Sequence, residues 1–145
     1  MGRAYCDGMQ SDPAQNGGWG SGSVATTAKH WPGGGPCEAG RDAHYPFGKF
    51  AVHPGGEEAT HLKPFTEGVF RLDGPTAKTA SIMPYYTITW GMDPSGDNVG
   101  NSYSKFIIQD MLRERAGFDG VVCTDWHITS VPTPSWIPSA AAATA

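Results

Sequence analysis

Asp125 stands directly after the apolar run Gly120-Val121-Val122-Cys123-Thr124, with Trp126 beside it. A carboxylate at the C-terminal end of a parallel strand is placed to attack a bound substrate as a nucleophile. The same position also suits an Asp that caps a following helix, and spacing alone leaves both readings open. Lys29-His30 closes a second run, Ser23-Val24-Ala25-Thr26-Thr27-Ala28, and supplies hydrogen-bonding groups suited to sugar hydroxyls. Trp31, Tyr86 and Trp126 offer faces on which a pyranose can stack. For Lys29 and His30 the plainer reading is a solvated strand end.

Other chemistries find no footing. Gly20-Ser21-Gly22-Ser23-Val24-Ala25 has the spacing of a dinucleotide fingerprint but precedes a strand, where the fingerprint must follow one. Gly35 to Asp42 has phosphate-loop spacing, but Arg41 and Asp42 replace the Lys and the Mg-ligating hydroxyl. The histidines are His30, His44, His53, His61 and His127; none pair at i, i+4, no HExxH occurs, and no metal site is expected. No GxSxG elbow is present.

Three strands must position these groups: Ser23 to His30, buried on both faces; Thr79 to Met83, ended by Pro84; and Gly120 to Thr124. Between them the pattern predicts a helix from Glu57 to Phe70, where Leu62, Phe65, Val69 and Phe70 share a face and Pro64 starts or kinks the helix. A second helix is predicted from Ser102 to Ala116, capped by Asn101 or Ser102 and ended by Gly117. Residues 1–22 lack apolar periodicity, and the loop from Tyr85 to Gly100 is expected to be exposed. Alternation of this kind signals βαβ units and a parallel sheet. Lys29-His30, Tyr85-Tyr86 and Asp125-Trp126 then gather at one sheet edge, where parallel α/β folds bind ligands.

Composition narrows the class further. The chain has 145 residues, of which 20 are Gly and 12 Pro, so it is rich in turns; aromatics at 11% argue against disorder. Net charge is −4 and no basic cluster interleaves with aromatics, which disfavours nucleic acid or an anionic membrane as partner. No stretch approaches the ~20 apolar residues of a membrane span. The first residues lack the apolar core of a secretory signal. Cys6, Cys37 and Cys123 form no CxxC pair, so neither a disulfide framework nor a cysteine zinc site is expected, and the compartment is not readable.

Lys29-His30-Trp31-Pro32-Gly33, Ser81-Ile82-Met83-Pro84-Tyr85-Tyr86, Leu112-Arg113-Glu114 and Gly117-Phe118-Asp119-Gly120-Val121-Val122-Cys123-Thr124-Asp125-Trp126 together resemble glycoside hydrolase family 3. The order and separations agree over residues 1–128. The likeness is greatest to bacterial β-glucosidase and exo-glucanase members, through Lys29 to Pro36 and Gly40 to Tyr45. The resemblance implies a fragment of an N-terminal (β/α)8 TIM barrel, about three βα units of its C-terminal part, over residues 1–128. Residues 129–145 read as a low-complexity tail, expected to be disordered. It implies Asp125 as the nucleophile of a retaining mechanism, Lys29 and His30 holding sugar hydroxyls, and Tyr86 beside the nucleophile. Trp126, Asp42 and His44 join the expected substrate-binding set.

The resemblance implies no cofactor. The expected function is an exo-acting β-glucosidase on β-glucans or β-glucosides. A barrel needs at least about 200 residues, so upstream strands and a downstream α/β sandwich, which in glucosidase members carries the acid/base Glu, are expected in a full-length parent. The isolated fragment is expected to be inactive and poorly stable. Two alternatives stand beside this. One is a β-N-acetylglucosaminidase of the same family, in which Asp42-Ala43-His44 would match its Asp-x-His acid/base dyad. The other is an inactive sugar-binding remnant.

Overall fold

The computed structural model describes residues 1–128; the tail proposed for 129–145 lies outside the described residues. The elements are α1 (Gly2–Gln10), β1 (Thr27–Trp31), β2 (Phe50–Ala51), α2 (Glu58–Lys63), β3 (Ser81–Pro84), β4 (Ile88–Thr89) and β5 (Val121–Val122). Two segments, Pro64–Val69 and Phe106–Arg115, are helices of wide, π-type turns. Among the described residues no helix is long and apolar enough to cross a membrane.

β1, β3 and β5 form one parallel sheet in the order β1-β3-β5, with Thr27 opposite Ser81 and Ser81 opposite Val121. The three expected strands therefore run parallel, and their C-terminal ends do share an edge of the sheet. β3 is central and buried at all four residues. β1 lies at the edge: it starts at Thr27 rather than Ser23, and Thr27 and Lys29 are exposed, so the expectation of burial on both faces is corrected. Between Lys29 and Trp31 the register slips, setting two residues of β1 against one of β3. Such a bulge re-aims side chains next to active sites.

The core joins Trp31 and Ile82 of the sheet to Phe65, Val69, Phe70, Phe106, Ile107, Met111, Leu112 and Phe118. Pro64 begins the wide-turn segment in which Phe70 N–H donates to Phe65 O at 2.9 Å, and the predicted Phe65, Val69 and Phe70 face is buried. Capping of the second helix differs from expectation. Ser104 Oγ accepts from Ile107 N–H at 3.2 Å, while Asn101 is fully buried and bonds Thr87 and Thr89 instead. Gly117, at φ 61°, follows the helix end as expected.

Two further corrections concern segments read as irregular. Residues 2–10 form α1, which puts Cys6 into the core and is otherwise anchored by polar side chains. The Gln10 amide is buried and bonds Thr26, Thr76, Lys78 and Ala80, and Asp7 accepts from the N–H groups of Asp73 and Gly74. The start of the Tyr85–Gly100 loop is not exposed. Residues 85–89 are buried, because Ile88–Thr89 pairs in parallel with Phe50–Ala51, bringing Ile88 N–H to Lys49 O at 2.8 Å and Trp90 N–H to Ala51 O at 2.9 Å.

Candidate active site

Asp125 lies three residues past β5, with its side chain only 4% exposed. Its Oδ1 accepts the Trp126 backbone N–H at 2.9 Å. Its Oδ2 is buried and has no hydrogen-bond partner among the described residues. His30 Nε2 lies 3.7 Å from that Oδ2, an ion-pair distance only when the imidazole is protonated. Burial, Lys29 and His44 lower the His30 pKa, and Asp125 opposes them less strongly than the burial and Lys29 together act. At neutral pH the group facing Oδ2 is therefore a neutral imidazole.

Tyr86 follows β3 by two residues and is 3% exposed. Its hydroxyl donates to the Trp126 carbonyl at 2.7 Å. Burial first, and the Asp125 carboxylate second, push its phenol well above the ordinary value, so it stays protonated. Tyr86 lies beside Asp125, but its face is not open for stacking. Trp31 is corrected more strongly: it is 1% exposed, its Nε1 donates to Ile107 O at 3.0 Å, and it packs edge-on to Phe65. Trp31 belongs to the core and cannot meet a sugar. Trp126 is 68% exposed and keeps an open face.

The loop Asp42-Ala43-His44 reaches the same place. Asp42 Oδ1 bonds the His44 Nδ1 at 2.7 Å and accepts its backbone N–H at 2.9 Å, which holds the Asp42 carboxyl below the usual range. The His44 ring stands edge-on to Tyr86 at 5.4 Å. A cleft of about 450 Å³ is lined by Lys29, His44, Tyr45, Tyr86, Asp125, Trp126 and His127. Five of the seven expected residues thus line one cleft, and the other two, His30 and Asp42, adjoin its lining residues Asp125 and His44. Tyr45 and His127 were not singled out by the sequence. Tyr45 adjoins the Asp42-Ala43-His44 stretch and His127 adjoins Trp126, which is the signal that adjacency alone gives. Among the described residues no cluster of three His, Cys, Asp or Glu side chains could hold a metal ion.

The arrangement can place a carboxylate oxygen, a cation, a neutral imidazole and an exposed indole around one small polar ligand. Chain comparison gives this a context. The model of the glycosyl hydrolase family 3 N-terminal domain matches residues 1–143. A probable beta-glucosidase C of Aspergillus oryzae is 40% identical over 124 residues, covering 86% of this chain and 17% of its own. A periplasmic beta-glucosidase/beta-xylosidase of Dickeya chrysanthemi is 37% identical over 134 residues, covering 90% of this chain and 19% of its own. A beta-hexosaminidase of Tolumonas auensis is 31% identical over 124 residues, covering 84% of this chain and 30% of its own. The chain therefore spans under a third of the length of these relatives. With nearly its whole length matched by one family model, the chain belongs to glycosyl hydrolase family 3, in the region of its N-terminal domain.

Proposed function

We propose that this chain carries the nucleophile and the sugar-holding side of a retaining, exo-acting β-glucosidase site. The observation that carries the reading is the buried Oδ2 of Asp125, without a hydrogen-bond partner among the described residues, facing His30 Nε2 at 3.7 Å. In this reading a β-glucoside lies in the cleft with its anomeric carbon at Asp125. The carboxylate oxygen forms a bond to that carbon as the glycosidic C–O bond breaks, the leaving oxygen takes a proton from an acid, and water later releases the sugar. Lys29 and His30 hold hydroxyls, and Trp126 stacks on the ring. The three-stranded parallel sheet is read as part of a (β/α)8 barrel, with the acid contributed by an α/β sandwich domain of a longer parent.

The test avoids the need for an acid. In 2-deoxy-2-fluoro-β-glucosyl fluoride the leaving group departs as fluoride without protonation, so Asp125 alone can form the glycosyl ester. Mass spectrometry is expected to find one fluoroglucosyl addition on the peptide holding Asp125 and none in Asp125→Asn. Addition elsewhere, or none, would overturn the nucleophile assignment, and sugar binding without addition would favour a binding remnant.

A second reading has its own observation. The Asp42–His44 pair, 2.7 Å apart, belongs to the same cleft, so His44 could supply the proton as in the dyad of N-acetylglucosaminidase members. In that case His44→Ala slows hydrolysis of an aryl glycoside with a poor leaving group and leaves fluoride release unchanged. Equal slowing of both would return His44 to sugar binding.

A further inference from the structure

Tyr85 stacks on the His30 imidazole, with ring centroids 4.3 Å apart and planes within 24° of parallel. Tyr85 is fixed from three directions. Its backbone N–H donates to Trp31 O at 2.9 Å. Its ring packs on Gly34, where a Cβ would come within 3.3 Å of Tyr85 Cε1 and 3.9 Å of His30 Nδ1. Its hydroxyl meets the backbone of Ala43, the residue between Asp42 and His44. His61 closes the glycine run from the other side, since a Cβ on Gly33 would lie 3.3 Å from His61 Cβ.

We propose that Tyr85 is the positioning residue of this site, tying His30, beside Asp125, to the Asp42-Ala43-His44 loop through its ring and its hydroxyl respectively. The proposal rests on the reading of Asp125 as nucleophile. Tyr85 is only 8% exposed, so it acts on His30 rather than on a ligand. An imidazole turns freely about two bonds unless packed, and a 1 Å misplacement at a reacting centre can cost about 10²-fold in rate. The stack removes that freedom. The absence of a side chain at Gly34 is what lets the Tyr85 ring approach His30 at stacking distance. Ring and hydroxyl have separable duties: Phe at this position keeps the stack, and Leu removes it.

The test uses the 145-residue chain, the fluoroglucosyl fluoride labelling of Asp125, and NMR titration of the imidazoles. In Tyr85→Leu the labelling rate constant is expected to fall at least about tenfold while apparent affinity for the reagent changes less than about threefold. The His30 titration moves up, because burial is the main cause holding it down and its titratable neighbours Lys29, Asp125 and His44 are unchanged. Tyr85→Phe restores the His30 titration and the rate, and alters only the environment of His44. Gly34→Ala, which presses on the Tyr85 ring, moves both readouts in the direction of Tyr85→Leu and serves where that variant does not fold. Unchanged His30 titration and unchanged labelling in folded Tyr85→Leu or Gly34→Ala would overturn the proposal. Should the unaltered chain show no labelling at Asp125, the nucleophile reading fails. The imidazole titrations then still decide whether Tyr85 orders His30 and His44.

Discussion

His30 Nε2 and Asp125 Oδ2 stand 3.7 Å apart although their strands, β1 and β5, never pair, since β3 lies between them. The approach comes from the bulge at His30 and from the three residues by which Asp125 overshoots β5. The gap is too long for a hydrogen bond. It leaves an imidazole and a carboxylate facing each other, a site at which a ligand hydroxyl could bond both. His30→Ala should therefore weaken glucose binding measured by calorimetry on the chain, by roughly tenfold for one lost neutral hydrogen bond. Unchanged affinity would place the sugar elsewhere.

Acid should destabilise the fold in two stages. The His30 and His53 pKa values are both lowered, mainly by burial. The unfolded chain then binds more protons than the folded one between those lowered values and the ordinary 6.5. Stability is full above that ordinary value and is lost as pH falls below it. Asp42 and Asp119, held below the ordinary 3.8 chiefly by hydrogen bonds from His44 and Lys78, add a second loss as pH falls through the carboxylate range. Calorimetric melting against pH should show both limbs, with His30→Gln and His53→Gln each flattening the upper one. A melting temperature constant between about pH 7 and pH 5 would contradict this assignment.

What the sequence reveals and what it hides divide along physical lines. The three parallel strands and the gathering of Lys29, Tyr86 and Asp125 at one edge are legible, because apolar runs ending in polar groups carry that information. α1 is hidden: Asp7 and Gln10 hold it through partners most of which lie about 65–70 residues away, and beside them the one buried Cys6 makes no apolar period. Trp31 is misread for the opposite reason. Its place after Lys29-His30 suggests a ligand platform, whereas the bulge turns it into the core. The pairing of Phe50–Ala51 with Ile88–Thr89 is invisible because two residues make no pattern.

Trp31 also links stability to the site. It is buried against Phe65 and Phe70, and its neighbour in the chain is His30. Trp31→Ala should cost about 3–5 kcal/mol from the cavity and lost contacts. Trp31→Phe keeps much of the packing but strands the Ile107 carbonyl, costing about 1–3 kcal/mol. Urea denaturation would measure both. A cost for Trp31→Phe near zero would mean that the carbonyl finds another donor.

Gln10 should matter as much as an apolar core residue. Its carbonyl oxygen accepts from Ala80 N–H at 2.8 Å, and its Nε2 donates to Lys78 O at 2.9 Å, with no solvent access. Gln10→Leu has similar bulk yet leaves both backbone groups stranded, and each costs about 1–3 kcal/mol. A fall of at least about 2 kcal/mol in urea denaturation is expected. A variant as stable as the original would mean that water replaces the amide.

The edges of the main sheet set the solution behaviour. β1 and β5 each have one neighbour, β3, among the described residues, and Val121 on β5 is 63% exposed. An unpaired edge with an apolar side chain is a template for pairing with another copy. Light scattering should show the chain associating as its concentration rises. Val121→Lys should reduce that association, because charge on an edge strand opposes strand addition. The substitution should leave the melting temperature within a few degrees, since an exposed position away from the core shifts stability by about 0.5 kcal/mol or less. A chain that stays monomeric at all concentrations, with or without Val121→Lys, would show that these edges do not recruit a second copy.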